Sequence, residues 1–178
     1  LLPTYSTGLV TRDTLLLEFS STIMCLILAG KVGSNIASEI GTMRITEQID
    51  AIEIMGVNSA NYLILPKITA FVLMMPFLVI FSMAIGLFGG YLVGMFSDII
   101  SVADYLLGIQ YAFIPYYITY ALIKTLFFAF IITTISAHQG YYVEGGSLEV
   151  GRASTRAVVY SSITILLFNV ILTQLLLS

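Results

Sequence analysis

Four long apolar stretches alternate with short polar connections along this chain of 178 residues. The stretches cover residues 15–37, 62–95, 113–137 and 157–177. Each contains the roughly 20 residues that a helix needs to cross the hydrocarbon core of a bilayer. They are continuously apolar rather than alternating, which excludes a transmembrane β-barrel. The pattern therefore predicts an all-α integral membrane protein with four complete transmembrane helices.

Composition supports lipid as the solvent of this chain. Charged residues make up 10% of the sequence, whereas soluble domains contain about 25%. A water-soluble globule of this size would need a polar shell that the sequence cannot supply. The net charge of −3 and the absence of a basic face exclude nucleic acid as a partner.

The distribution of charge between connections predicts the orientation of the helices. Short loops that contain Lys and Arg usually face the cytoplasm. The first connection contains Arg44 and is flanked by Lys67. The third connection contains Arg152 and Arg156. The second connection contains Asp98 and Asp104 and no base. We therefore expect the first and third connections in the cytoplasm, although Arg12 on the opposite side is an exception to the rule.

The first connection contains an amphipathic segment, residues 42–55. Apolar residues recur there at helical spacing: Ile45, Ile49, Ile52 and Met55. Acidic residues occupy the opposite face: Glu47, Asp50 and Glu53. Thr46 is a plausible N-cap, and Gly56 suits the left-handed position after the last turn. The segment is predicted to be a short cytoplasmic helix whose acidic face favours a protein partner over anionic lipid.

Small residues and buried charges are the other distinctive features of the apolar stretches. Small residues recur four apart, at Ala29, Gly33, Ala37 and Gly41 and at Gly86, Gly90 and Gly94. This spacing favours close packing of helices in lipid. The ionisable residues of the apolar stretches that could serve a function are Glu18, Lys31 and Lys124. Such residues usually face protein or a wet cavity, so Lys124 is predicted either to form a buried pair or to contact an anionic substrate, whereas Glu18 could be exposed at the interface.

Enzymatic motifs are absent from the sequence. It has no P-loop, one histidine (His138) and one cysteine (Cys25). A catalytic triad or a His/Cys metal site is therefore unsupported. We expect a non-catalytic membrane subunit that binds no cofactor or metal.

A family resemblance covers nearly the whole chain. The segment LAGKVGSNIASEIGTMRITEQIDAIEIMGVN at 28–58, GLFGGYLVG at 86–94, LIKTLFFA at 122–129 and GYYVEGGSLEVGRASTRAVVYSS at 140–162 carry it. With Pro66, these segments resemble the MlaE/YrbE permeases of lipid-transporting ABC systems. The resemblance implies one permease domain over residues 1–178, N-terminally incomplete, from a full chain with five spans and an interfacial helix.

The resemblance also implies partners and a location. Family members are homodimers in the bacterial inner membrane that move phospholipid between the inner and outer membranes. They work with a cytoplasmic ABC ATPase, which binds ATP and Mg, with a periplasmic hexamer of MCE-domain subunits and often with a STAS-domain protein. These partners are expectations for this chain.

Residue roles follow from the matched segments. Residues 42–55 correspond to the coupling helix that docks on the ATPase. The implied coupling residues are Glu39, Thr42, Arg44, Glu47, Gln48, Asp50, Glu53 and Met55. Lys124 matches a family lysine, and Glu18 matches a family glutamate, although Leu17 replaces the arginine that many relatives have before it. Glu18 and Lys124 are the expected contacts to lipid.

Three other functions stay open at this point. The same fold could move another lipid, such as a sterol or a fatty acid. An ion-gradient-driven transporter would need an intramembrane relay, for which the chain offers little beyond Glu18 and Lys124. A structural anchor for a periplasmic ring would assemble without transferring lipid.

Overall fold

The computed structural model describes residues 5–96 and 101–177. The described residues form helices and connecting turns, with no strand among them, which confirms the all-α fold. Asp98, one of the acids used to orient the chain, lies outside the described residues.

Within residues 5–96 and 101–177, six helical elements follow one another. They are α1 (Ser6–Ile45), α2 (Gln48–Ile54), α3 (Ser59–Phe96), α4 (Val102–Gln110), α5 (Tyr116–Tyr141) and α6 (Ser147–Leu177). Among the described residues, α1, α3, α5 and α6 are long and apolar enough to cross a membrane. The four predicted spans are confirmed. α1 and α3 extend beyond both predicted bounds, α5 starts later and ends later than predicted, and α6 starts earlier and ends at the predicted residue.

α1 contains two π-helical stretches, Leu15–Ile23 and Ala29–Gly33. A π-helical turn is wider than an α-helical turn and frequently occurs at functional sites. The first stretch carries Glu18, the acidic residue of this span. The first of the two widened stretches therefore falls in the part of α1 that was expected to contact lipid.

The predicted continuous helix over residues 42–55 is wrong, because the chain breaks at Thr46 and Glu47. The Thr46 hydroxyl donates back to the carbonyl oxygen of Thr42 at 2.8 Å, so Thr46 ends α1 and does not cap α2. Glu47 takes a left-handed conformation with φ of 57° and precedes the first residue of α2. A non-glycine residue in this region marks a tight turn. Residues 42–55 therefore form a helix end, a turn and a separate short helix.

The end of α2 agrees with the sequence. Gly56 has φ of 80°, as predicted. Its N–H donates to Glu53 O at 2.9 Å, and the Val57 N–H donates to Ile52 O at 3.3 Å. These two bonds form a Schellman motif, which satisfies carbonyl groups at the helix end.

The described residues divide into two compact units. One contains described residues of 1–24 and 76–125, and its apolar core includes Leu16, Val79, Met83 and Ala121. The other contains described residues of 25–75 and 126–178, and one of its cores surrounds Phe128 and Ile132. Large apolar side chains remain exposed along α3, such as Phe77 and Phe81, which are more than 60% exposed. Apolar exposure on this scale suits a lipid or protein environment.

The short helix α4 was not predicted, and its C-terminal end is hydrogen-bonded to Arg12. The Arg12 guanidinium Nη1 donates to Ile109 O at 2.8 Å and to Tyr111 O at 2.7 Å, at the C-terminal end of α4. A cation at this end of a helix is stabilising because unpaired carbonyl groups accumulate there. Arg12 is buried, so its position reflects this structural bond and not the charge rule for loops.

Candidate functional site

An ion pair inside the membrane-spanning part of the chain joins α1 to α5. The Lys124 Nζ lies 2.8 Å from Glu18 Oε1. The same nitrogen lies 2.9 Å from the Tyr120 hydroxyl and 3.4 Å from Leu17 O. The Thr22 hydroxyl donates to the second carboxylate oxygen of Glu18 at 2.8 Å. Glu18 and Lys124, the two residues expected to contact lipid, therefore lie together in one polar network.

The two members of this pair differ in exposure. The Lys124 side chain is fully buried, whereas 42% of the Glu18 side chain is exposed. A buried ammonium group needs a charged or hydrogen-bonding partner because desolvation is costly. Lys124 therefore meets that need within the chain, and the open side of the network is the Glu18 carboxylate.

Sequence reasoning missed the supporting residues Tyr120 and Thr22. Tyr120 precedes Lys124 by four residues, and Thr22 follows Glu18 by four residues. Residues four apart lie on the same face of a helix. Polar residues one turn from an intramembrane charge are the signal that could have identified both.

A second polar cluster surrounds α2 on the predicted cytoplasmic side. Arg44 Nη1 lies 2.6 Å from Asp50 Oδ1. Glu53 Oε1 lies 2.7 Å from the Ser59 hydroxyl and 2.9 Å from the Tyr141 hydroxyl. Hydrogen bonds from Ser59 and then Tyr141 lower the pKa of Glu53. Two of the three acids predicted to face a partner are therefore engaged within the chain.

The apolar residues that were predicted to share one helix face do not all lie in one environment. Ile49 is fully buried and belongs to an internal apolar core. Ile54 is 88% exposed and Met55 is 72% exposed. Met55 follows Ile54, the last residue of α2, and is exposed beyond the helix end, whereas Ile49 lies within α2 and faces the core. The exposed apolar surface of α2 is its C-terminal tip.

The remaining predicted coupling residues lie around this cluster. Glu39 pairs with Lys67 at 2.7 Å, and the Thr42 hydroxyl donates to Ser38 O at 2.8 Å. Glu47 and Gln48 are exposed at the start of α2. Their contact with an ATPase stays a prediction.

The small residues of the apolar stretches lie against other helices. A Cβ atom added at Gly33 would lie 2.8 Å from Ser136 Oγ, and one added at Gly86 would lie 2.9 Å from Leu15 Cδ2. A Cβ atom at Gly90 would collide with the Tyr105 hydroxyl. Ala37 is fully buried. Gly94 lies on α3 and is half-buried.

No group of three or more His, Cys, Asp or Glu residues within 5–96 and 101–177 could hold a metal ion. The polar chemistry described above therefore consists of hydrogen bonds and ion pairs. Such groups can bind and orient a charged headgroup or transmit force.

Comparison with known proteins assigns the chain to a family. A family model described as Permease MlaE matches residues 2–175. The chain belongs to the MlaE permease family. It is thus a multi-pass membrane protein with the MlaE-type permease fold, as the sequence predicted.

Several curated proteins are similar to this MlaE-family chain. A probable ABC transporter permease protein of Rickettsia bellii is 43% identical over 158 residues, which cover 89% of this chain and 61% of the relative. The intermembrane phospholipid transport system permease protein MlaE of Haemophilus influenzae is 34% identical, with 96% of this chain and 66% of the relative covered. The chloroplastic protein TRIGALACTOSYLDIACYLGLYCEROL 1 of Arabidopsis thaliana is 33% identical, with 88% and 45% covered. The chain thus spans about three fifths of the length of the first of these relatives.

Proposed function

We propose that this chain is the transmembrane permease subunit of an ABC-type transporter that moves phospholipid between the inner and outer membranes. The energy comes from ATP hydrolysed by a separate ATPase, and the chain itself catalyses no reaction. Membership of the MlaE family and similarity to a protein named as a phospholipid transport permease support this proposal.

The observation that carries the proposal is the Glu18–Lys124 network in an otherwise apolar span. A phospholipid headgroup such as phosphoethanolamine contains both a phosphate and an amine. Its amine can approach the exposed Glu18 carboxylate first, because Lys124 is enclosed. Its phosphate can then compete for the Lys124 ammonium, since phosphate accepts strong charge-assisted hydrogen bonds. The network thus offers complementary charge for a zwitterionic headgroup.

The ATPase would dock on α2 and its surroundings. The exposed tip formed by Ile54 and Met55 supplies apolar area, and the exposed Glu47 supplies charge that sets orientation. ATP binding would then displace α2 and shift the permease between two states that differ in affinity for lipid. The other partners proposed are a second copy of this chain, a periplasmic MCE-domain hexamer and a STAS-domain protein. The proposed location is the bacterial inner membrane.

Purification of the permease with its bound lipids and partners tests the proposal. We expect an ABC ATPase and an MCE-domain protein to accompany it, and mass spectrometry to identify bound phospholipid. In proteoliposomes with the ATPase, lipid transfer should require ATP. Transfer without ATP would support an ion-driven transporter, a bound sterol or fatty acid would change the substrate, and assembly without transfer would support a structural anchor.

Docking on the tip of α2 can be tested separately. Ile54→Asp combined with Met55→Asp should abolish co-purification of the ATPase, because the change places charge on the apolar contact surface. Leu148→Asp is a matched control, since Leu148 is a large apolar residue exposed at 69% on another element. Retention of the ATPase by the double variant would contradict docking on this tip.

A further inference from the structure

Three elements meet at one triangle of oxygen atoms. Glu53 Oε1 on α2 lies 2.7 Å from Ser59 Oγ on α3 and 2.9 Å from the hydroxyl of Tyr141 on α5. The two hydroxyl oxygens lie 2.8 Å from each other. Only two hydroxyl protons are available for the three contacts. Because a carboxylate is the stronger acceptor, both hydroxyl groups donate preferentially to Glu53.

Tyr141 also meets the end of α1. The Arg44 guanidinium lies 5.9 Å from the centre of the Tyr141 ring, within the range of a cation–π contact. Arg44 is paired with Asp50 on α2 at 2.6 Å. Tyr141 is therefore the residue at which α1, α2, α3 and α5 are joined.

Glu53 is exposed, yet its carboxylate is already hydrogen-bonded within its own chain. Its oxygen is held by two hydroxyl groups of its own chain, and Ser59 is almost fully buried. The two hydrogen bonds also keep the pKa of Glu53 low, so the carboxylate stays ionised at neutral pH. The acid thus has a fixed place between α2 and the ends of two spans.

We propose that Glu53, Ser59 and Tyr141 form the joint that passes a displacement of α2 to α3 and α5. In this role Tyr141 and Glu53 are positioning residues that act on the spans and not on lipid or nucleotide. α5 carries both Tyr141 at its last residue and Lys124 in its membrane part, so the joint reaches the helix that holds the proposed headgroup contact. The inference rests on the proposed function, since it requires an ATPase that moves α2.

The hydroxyl group of Tyr141 provides the sharpest test. Tyr141→Phe keeps the ring over which Arg44 lies and removes the donor to Glu53. In proteoliposomes containing the permease and its ATPase, we expect ATP hydrolysis and ATPase association to stay near those of the unchanged protein. The number of lipids transferred per ATP hydrolysed should fall about three- to tenfold, in line with the loss of a typical hydrogen bond. Tyr142→Phe is the matched control, because Tyr142 is the next residue and is exposed at 69%.

Two changes at Glu53 separate a mechanical joint from direct contact with the ATPase. Glu53→Gln keeps an amide oxygen that can accept both hydrogen bonds, whereas Glu53→Ala removes the acceptor. The joint predicts that Glu53→Gln retains most of the transfer per ATP and that Glu53→Ala loses as much as Tyr141→Phe. A direct ionic contact would instead make Glu53→Gln lose ATPase association.

Hydrogen–deuterium exchange supplies a readout that does not depend on transport. The amides of α2 should exchange faster in Tyr141→Phe and in Glu53→Ala than in the Tyr142→Phe control. Unchanged exchange together with unchanged transfer per ATP in Tyr141→Phe would overturn the inference. Absence of ATP-dependent transfer in the unchanged protein would instead refute the proposed function, so the two failures are distinguishable.

Discussion

The pair formed by Glu18 and Lys124 makes the most quantitative prediction. At 2.8 Å the gross attraction between two unit charges is about 6 kcal/mol for an effective dielectric constant near 20. Much of it offsets the desolvation of Lys124, because this side chain is fully buried. Removing one partner of a buried pair typically costs about 3–5 kcal/mol. Glu18 is 42% exposed, so the low end of that range applies.

Glu18→Ala should therefore lower the free energy of unfolding by about 3 kcal/mol, since it leaves the Lys124 ammonium buried without its carboxylate. Lys124→Met should lower it by only about 1–2 kcal/mol, because a half-exposed Glu18 can be hydrated and methionine fills the vacated space. The double variant should resemble Lys124→Met, so the coupling energy should equal the effect of Glu18→Ala, about 3 kcal/mol.

The assay is unfolding of the permease by sodium dodecyl sulphate in mixed micelles, followed by circular dichroism. Lys31→Met is the matched control, since Lys31 is an exposed lysine of α1. Its replacement should change the free energy of unfolding by less than about 0.5 kcal/mol. Effects of Glu18→Ala and Lys124→Met that add to within about 0.5 kcal/mol would refute a stabilising ion pair.

Three further predictions concern the packing and charge of other regions. Arg12→Met should speed amide exchange at residues 109–111 and destabilise the protein by about 1–3 kcal/mol, because the carbonyl oxygens at the end of α4 lose their donor. Gly33→Leu should destabilise by about 1–3 kcal/mol, measured as above, whereas Gly30→Leu, which meets open space, should not. The carboxylate band of Glu53 in an infrared titration should persist below the ordinary glutamate pKa, since a lowered folded-state pKa means that the network is lost only as pH falls through that lower value. A Glu53 band that titrates at the ordinary value would contradict the hydrogen bonds described.

Secondary structure and class were predictable because they depend on local composition. An uninterrupted apolar run of 20 or more residues has few alternatives to a transmembrane helix, since backbone groups in lipid must be satisfied within the segment. The residues at which the helices begin and end were less predictable. The helix containing Arg152 begins at Ser147, although its predicted span begins at residue 157, because polar turns outside the bilayer add no apolar signal.

The break at Glu47 shows what periodicity alone cannot detect. Ile45, Ile49 and Ile52 have helical spacing across a left-handed Glu47. Spacing reports which residues would share a face if the helix were continuous, whereas the local conformation at Glu47 decides whether it is. Spacing also assigned Met55 to the face of Ile49, but Met55 lies after Ile54, the last residue of α2, and is exposed, whereas Ile49 is buried.

The sequence by itself determined that this chain crosses a membrane four times, that Glu18 and Lys124 are costly to place there, and to which family it belongs. Only the tertiary structure decided that these two residues pair, that Arg12 holds α4, and that Tyr141 joins α2 to two spans. The physical reason is sequence separation. Hydrophobicity and helix propensity act within a few turns, whereas each of these contacts joins residues that lie 82 to 106 positions apart and meet only when the helices pack.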